Sequence, residues 1–416
     1  MRSGFRRPSQ GNAAARAASR RRAAAVCGAW VVVAGALAPH ASADEAAPSQ
    51  WYLAAMQAAE MWKVSTGKGV KVAVVDTGVN PGTPSLKGQV LTQEVPQAAS
   101  YGATKDYDGH GTTMAELIAG TGAGGGLKGL APDAKIVPLR ISLDSLKDPA
   151  EQKLTQSSAK GIRAAADSDV KIINLSYASP SSAPEEASAV KYALSKGKLL
   201  FAGSGNDGAN NDFAREFPAA YPGVVGVSAA DKSGTVGHFS QSGNYVDLAS
   251  PGLNVPVWCD TNFQKYCPSQ GTSQASAIAS ASAALIWSAH PSWTADQVLR
   301  TMIDTAGRSW DRNTPSKYLG YGLIRPRLVL EKPDIDPGPA DVDPVSQDQG
   351  GSSAAPATPA APSSPAPPKS GPAATGKEPG AGGGDNTPWV IGGVVAGLIA
   401  IGGGVFAAIR SRRRGA

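Results

Sequence analysis

Three short motifs follow one another along the chain: Val74-Val75-Asp76-Thr77-Gly78, Gly109-His110-Gly111-Thr112 and Gly271-Thr272-Ser273. They supply a carboxylate, an imidazole and a hydroxyl. A hydroxyl attacks an acyl carbon readily when an imidazole takes its proton, and the imidazole serves best when a carboxylate fixes its tautomer and stabilises its cation. Asp76, His110 and Ser273 fit those roles, so the chemistry within reach is acyl transfer. Each motif alone has a plainer reading: a strand ending in a turn, a loop with a surface histidine, a helix N-cap. Their conjunction, in this order, carries the inference.

Positioning these side chains needs particular elements. Val70 to Val75 is a nearly continuous β-branched run, which predicts a strand buried on both faces of a parallel sheet. Asp76 then lies at its carboxyl end, where open α/β sheets carry their sites. Glycines flank His110 and allow a tight turn, and Thr112 to Ala119 predicts a helix with His110 at its start. Ser273 opens the small-residue stretch Gln274 to Trp287, which has helical length and neither glycine nor proline. A nucleophile at a helix N-terminus gains free N–H groups and the positive end of the dipole for a developing oxyanion.

The Asp, His, Ser order and the flanking segments over roughly residues 51–330 resemble the subtilisin-like serine proteases of the S8 type. The resemblance implies a three-layer α/β fold with a mostly parallel central sheet. Gly203-Ser204-Gly205-Asn206 is similar to the family segment that ends in the oxyanion asparagine, which gives Asn206 that role. By itself Asn206, before Asp207-Gly208, reads as a turn residue. Ile172 to Tyr177 predicts a buried strand emerging at a sheet edge, and the resemblance pairs substrate there, as an added strand. It puts Ser176 and Tyr177 on one wall of the primary pocket and Ala202 and Gly203 on the other. Three positions depart from the family pattern: Ala178 replaces a usual glycine, and Gln274 and Ala277 replace a usual methionine and proline beside the nucleophile. His238 and His290 fall in structural segments. No cofactor and no metal are assigned, since Asp106, Asp108 and Asp212 read as turn formers before calcium ligands.

Charge excludes one class of partner. Residues 1–43 carry seven arginines and no acid, and the last seven residues carry four more, so the net +6 leaves the segment between at about −5. No surplus remains to neutralise phosphates, and no nucleic-acid partner is expected. The arginines mark termini instead. An arginine-rich region to Arg22, an apolar stretch from Ala23 to Ala38 and Ala41-Ser42-Ala43 read as a signal peptide over 1–43, with an uncleaved anchor as the alternative. Trp389 to Ile409 is a charge-free apolar stretch followed by Arg410, Arg412, Arg413 and Arg414. It predicts a transmembrane helix over 388–409 and a basic cytoplasmic tail over 410–416, with the bulk of the chain outside.

Residues 332–387 are rich in proline, alanine, serine and glycine and predict a disordered linker with an r.m.s. span of roughly 40 Å. The catalytic domain is then 66–331, preceded by an N-terminal extension, 44–65, packed on it. No internal repeat stands out. Cys27 falls in the leader, leaving Cys259 and Cys267, which in an oxidising compartment could close a loop just before Ser273.

Leader, short N-terminal stretch, protease domain, proline-rich linker and basic-tailed span together look like the mycosins, the proteases associated with type VII secretion in actinobacteria. The stretch from Asp44 to Asp76 is too short for the folded pro-domain of many secreted subtilisins. The resemblance implies an endopeptidase in the cell membrane whose partners are secreted proteins or peptides and the membrane components of a type VII secretion system. A structural component of that system with slow or dispensable proteolysis is the alternative.

Overall fold

The computed structural model describes residues 50–210 and 215–345. Two short helices, α1 (Trp51–Ala55) and α2 (Ala58–Met61), lead into the valine run, which forms strand β1 (Lys71–Asp76). Then come α3 (His110–Ala119), β2 (Lys135–Arg140), α4 (Pro149–Leu154), α5 (Ser158–Asp167), β3 (Ile172–Leu175), α6 (Pro184–Ser195) and β4 (Leu199–Gly203). The second half adds β5 (Val224–Ala230), β6 (Leu248–Pro251), β7 (Val255–Trp258), β8 (Tyr266–Ser269), α7 (Thr272–Ala289), α8 (Ala295–Thr305) and α9 (Pro326–Leu330).

Six parallel strands make one sheet in the order β2-β1-β3-β4-β5-β6. Alternation along β1 sends Val72 and Val74 to one face and Ala73 and Val75 to the other, and all four are fully buried, as strands covered on both sides require. Helices α3, α7, α8 and α9 cover the first face; α5 and α6 cover the second. The result is a three-layer α/β fold. Helix α7 is buried on nearly every side, which its small alanines and serines permit and its alanines favour as helix.

The strand expected to run to Tyr177 at a sheet edge differs. β3 stops at Leu175 and lies inside the sheet, because β1 and β4 take up both its edges. Ser176 and Tyr177 project past the sheet's carboxyl end. The linker boundary also differs. Residues 332–345 stay on the globular unit, where Thr294, Gln297 and Arg300 of the α8 region donate to Ala340 O, Gly338 O and Val342 O at 2.7, 2.9 and 2.7 Å. Val345 is fully buried and Ile335 packs on the core, supplying the apolar anchors that the tract's composition conceals.

At the other end Tyr52, Ala58 and Met61 enter the main core, and the indoles of Trp51 and Trp62 donate to Leu253 O and Leu130 O at 2.9 and 2.8 Å. A disulfide joins Cys259 and Cys267 across the antiparallel β7–β8 hairpin. Among the described residues no helix is long and apolar enough to cross a membrane. The expected signal peptide, most of the linker, the 388–409 span and the basic tail lie outside the described residues.

Candidate active site

Asp76 ends β1 with its side chain fully buried, and its Oδ1 lies 2.7 Å from His110 Nδ1. The same oxygen accepts the Thr77 N–H at 2.7 Å, while Oδ2 has no partner. His110 is the first residue of α3. A Cβ on Gly111 would sit 2.1 Å from Gly78 O and 3.1 Å from Asp76 Cβ, so the approach of helix to strand requires glycine there. Gly109, at φ +86°, makes the turn but has no side chain to cap the helix. Asp106 supplies the missing acceptor. Its carboxylate takes the N–H groups of Asp108, Gly109 and Thr112 at 3.0, 2.8 and 2.8 Å. It also takes the hydroxyls of Thr77 and Thr112 at 2.7 and 2.6 Å.

Burial lowers the His110 pKa, but the Asp76 charge and hydrogen bond outweigh it, with Asp106 and Asp108 adding to them, and raise the value to about 9. Nδ1 carries a proton toward Asp76, and Nε2 is the atom left to exchange one. The ring is about one-third exposed, at 32%.

Ser273 is the second residue of α7. Its hydroxyl donates to Ser176 O at 3.0 Å rather than to His110, and the Ser176 hydroxyl donates to Ser273 O at 2.9 Å. Beside it, Thr272 N–H and Oγ1–H donate to Asn206 Oδ1 at 3.0 and 3.1 Å. That pins the carbonyl end of Asn206 to the helix start and leaves its amide N–H groups free for an incoming oxygen. A Cβ on Gly203 would meet Thr272 Oγ1 at 2.7 Å, so β4 reaches α7 only as glycine.

Asp76 and His110 thus meet at one helix start, and Ser273, Asn206, Ser176 and Gly203 at another. Tyr177 and Ala202 turn their side chains elsewhere: the Tyr177 hydroxyl donates to Glu186 Oε1 at 2.9 Å, and Ala202 packs in the α5–α6 layer. Gln274 Nε2 donates to Ser269 Oγ at 3.3 Å, and its Oε1 covers Gly271. Ala277 lets α7 run unbroken from Thr272. Among the described residues no group of histidines, cysteines and carboxylates could hold a metal ion.

Two participants escaped sequence reasoning. Asp106 was legible only as a turn former, because it stands three residues ahead of the Gly109 N-cap and outside the usual capping position. Glu116 on α3 gave no signal. It is fully buried and accepts from Thr83 Oγ1 and Tyr266 OH at 2.7 and 2.6 Å, two residues that line a cavity of about 800 Å³. Burial drives its carboxyl up to about 7 against those hydrogen bonds.

Residues 67–322 match the Peptidase S8 subtilase family. The minor extracellular protease Epr of Bacillus subtilis (strain 168) is 34% identical over 284 residues, covering 66% of this chain and 41% of that protein, so the chain spans less than half of Epr. Subtilisin Savinase of Lederbergia lenta is 33% identical over 259 residues, covering 62% of this chain and 90% of that one. Among solved structures, the MycP3 protease from the type VII (ESX-3) secretion system superposes with a TM-score of 0.56 at 28% identity, covering 67% of this chain and 87% of that chain.

Proposed function

The chain belongs to the subtilase family of serine proteases, and we propose on that premise that it is a membrane-anchored, extracytoplasmic endopeptidase of a type VII secretion system. It hydrolyses peptide bonds of secreted proteins through an acyl-enzyme. The observation that carries the chemistry is the 2.7 Å bond from Asp76 Oδ1 to His110 Nδ1.

Ser273 Oγ turns from Ser176 O to His110 Nε2, which takes its proton as the Oγ–carbon bond forms. The substrate oxygen becomes an oxyanion and accepts from Ser273 N–H and Asn206 Nδ2. Collapse breaks the carbon–nitrogen bond, and His110 returns the proton to the leaving amine. Water then attacks the acyl-enzyme with His110 as base again, releasing the acid and Ser273. Asp76 holds the imidazolium throughout. Ser176 and Gly203 flank the acyl side of the substrate; Tyr177 contributes main chain, while the main chain of Ala202 is engaged by β3 and β5. Removing an oxyanion donor from Asn206 costs roughly 10²–10³ in turnover, a figure carried over from a subtilisin.

The charge-free stretch Trp389–Ile409 and the arginines after it support the anchor. The likeness to MycP3 and the layout of leader, extension, linker and span support the secretion setting, with membrane components of that system as partners. Labelling of the full chain with a serine-directed fluorophosphonate tests the chemistry. Labelling that disappears in Ser273→Ala and His110→Ala is expected, since triad losses in the subtilisin example reach about 10⁶. A folded wild-type chain that takes no label would refute it.

A second reading, a structural component with slow or dispensable proteolysis, draws on the Ser273 hydroxyl being held by Ser176 O and on Gln274 over Gly271. It requires that a Ser273→Ala strain still secretes while a strain lacking the chain does not. Loss of secretion in both removes it.

A further inference from the structure

Strand β3 carries an amide where its alternation calls for an apolar side chain. Ile172 on the same face, and Ile173 and Leu175 on the other, are fully buried, and so is Asn174. A buried amide costs stability unless its groups are paired, so its partners are informative. Ser276 and Ser280, one turn apart on α7 and themselves fully buried, both donate to Asn174 Oδ1 at 3.1 Å. With both hydroxyls at its carbonyl end, the amide turns its Nδ2 the other way and donates to Ser176 Oγ at 2.9 Å. Having accepted there, Ser176 Oγ directs its own proton to Ser273 O at 2.9 Å. The proton order therefore runs one way, from the α7 serines through Asn174 and Ser176 to the nucleophile's carbonyl.

We propose that Asn174 is a positioning residue for the nucleophile: by orienting the Ser176 hydroxyl it holds the Ser273 main chain at the end of β3 while the Ser273 side chain swings to His110. The proposal rests on the acyl-transfer reading of Ser273. Two bonds join residues 176 and 273 at rest, and attack must break the one donated by Ser273 Oγ. Of these two only the bond donated by Ser176 then remains to tie Ser273 to the end of β3, beside the bonds Thr272 makes to Asn206, and its direction is set by Asn174. Asn174→Asp tests this at unchanged volume. A carboxylate accepts from all three serines but donates to none, so the Ser176 hydroxyl turns to it and Ser273 O loses its donor.

The experiment follows fluorophosphonate labelling of the full chain over time at several probe concentrations, which separates the limiting rate from the half-saturating concentration. Ser176→Ala and Asn174→Asp should each slow the limiting rate about tenfold, the order expected for one lost hydrogen bond, with half-saturation within about twofold. Ser176→Thr, which keeps the hydroxyl, should restore the rate. Asn174→Asp added to Ser176→Ala should slow it no further, because both act through one bond. Labelling of Asn174→Asp at the wild-type limiting rate, or effects that multiply in the double variant, would overturn the proposal. If Asn174→Asp does not fold by circular dichroism, the Ser276→Ala, Ser280→Ala pair, which frees the amide to flip, replaces it with the same expectations. A wild-type chain that takes no label removes the acyl-transfer reading, and the positioning role with it, before any Asn174 variant is compared.

Discussion

His110 faces Asp76 at 2.7 Å and lies in the field of Asp106 and Asp108, and the resulting pKa of about 9 sets how the site responds to pH. A base must be unprotonated at Nε2 to take the Ser273 proton, so the limiting labelling rate should climb about fiftyfold from pH 7 to 9. Stability should move the other way. The folded value exceeds the ordinary 6.5, so the gain from this pair is complete below pH 6.5 and is lost as pH rises through about 9. Asp76→Asn should flatten that decline and cut the limiting rate by about 10⁴, as loss of the triad aspartate does in the subtilisin example. A rate that is level between pH 7 and 9 would contradict the assignment. Asp76, His110 and Ser273 were legible because each sits in a local motif whose neighbours are dictated by geometry, such as the glycine at 111. Asp106 was not, because its partners Thr77 and Thr112 come from two different elements. Ala202 faces away from Ser273 because alternation along β4 decides its side, and Tyr177, beyond the end of β3, is drawn away by its bond to Glu186.

Elements show the same division. β1, α3 and α7 could be read from a β-branched run, the glycines around His110 and a small-residue stretch free of glycine and proline, but the end of β3 is set by the bonding of β1 and β4 on either side of it. The coupling of α3 to the β7–β8 hairpin was invisible for the same reason: it runs through Glu116 to Thr83 and to Tyr266, residues far apart in the chain. A buried carboxyl raised from 4.5 to about 7 favours the folded state less as pH climbs between those values, because the unfolded chain releases its proton first. The cost above pH 7 approaches about 3 kcal/mol. Glu116→Gln keeps the shape and one acceptor without the charge. Its stability relative to wild type, from urea midpoints, should therefore improve between pH 5 and pH 8 by about 2–3 kcal/mol, while the cost of its altered bond to Tyr266 offsets both values equally. A difference that stays constant across that interval would show that Glu116 does not titrate in the folded chain.

For the molecule as a whole, composition set apart the terminal segments as expectations but concealed how firmly two stretches of them belong to the globular unit. The tract after Glu331 reads as linker because residues 332–387 are rich in proline, alanine, serine and glycine, yet Val345 and Ile335 bury themselves and three side chains of the α8 region bind its carbonyls. The extension before Gly67 is equally committed. Gln50 brackets Lys128 through both its main-chain groups, at 2.8 and 2.9 Å, Ser65 Oγ donates to Leu285 O at 2.7 Å, and Tyr52 is fully buried. Truncating a fully buried aromatic of this kind costs about 3–5 kcal/mol, a large part of the stability a domain usually has. A chain covering 44–345 should accordingly melt well above one ending at 331. Deletion of 44–65, or Tyr52→Ala alone, should lower the melting point by several degrees or more while leaving labelling per folded molecule unchanged. The alternative use of such an extension is to block the site, and the two are separable: a plug would leave melting where it was and raise labelling when removed. Because Trp51 and Trp62 donate to Leu253 O and Leu130 O and not to any atom of Asp76, His110 or Ser273, the first outcome is the one the contacts require.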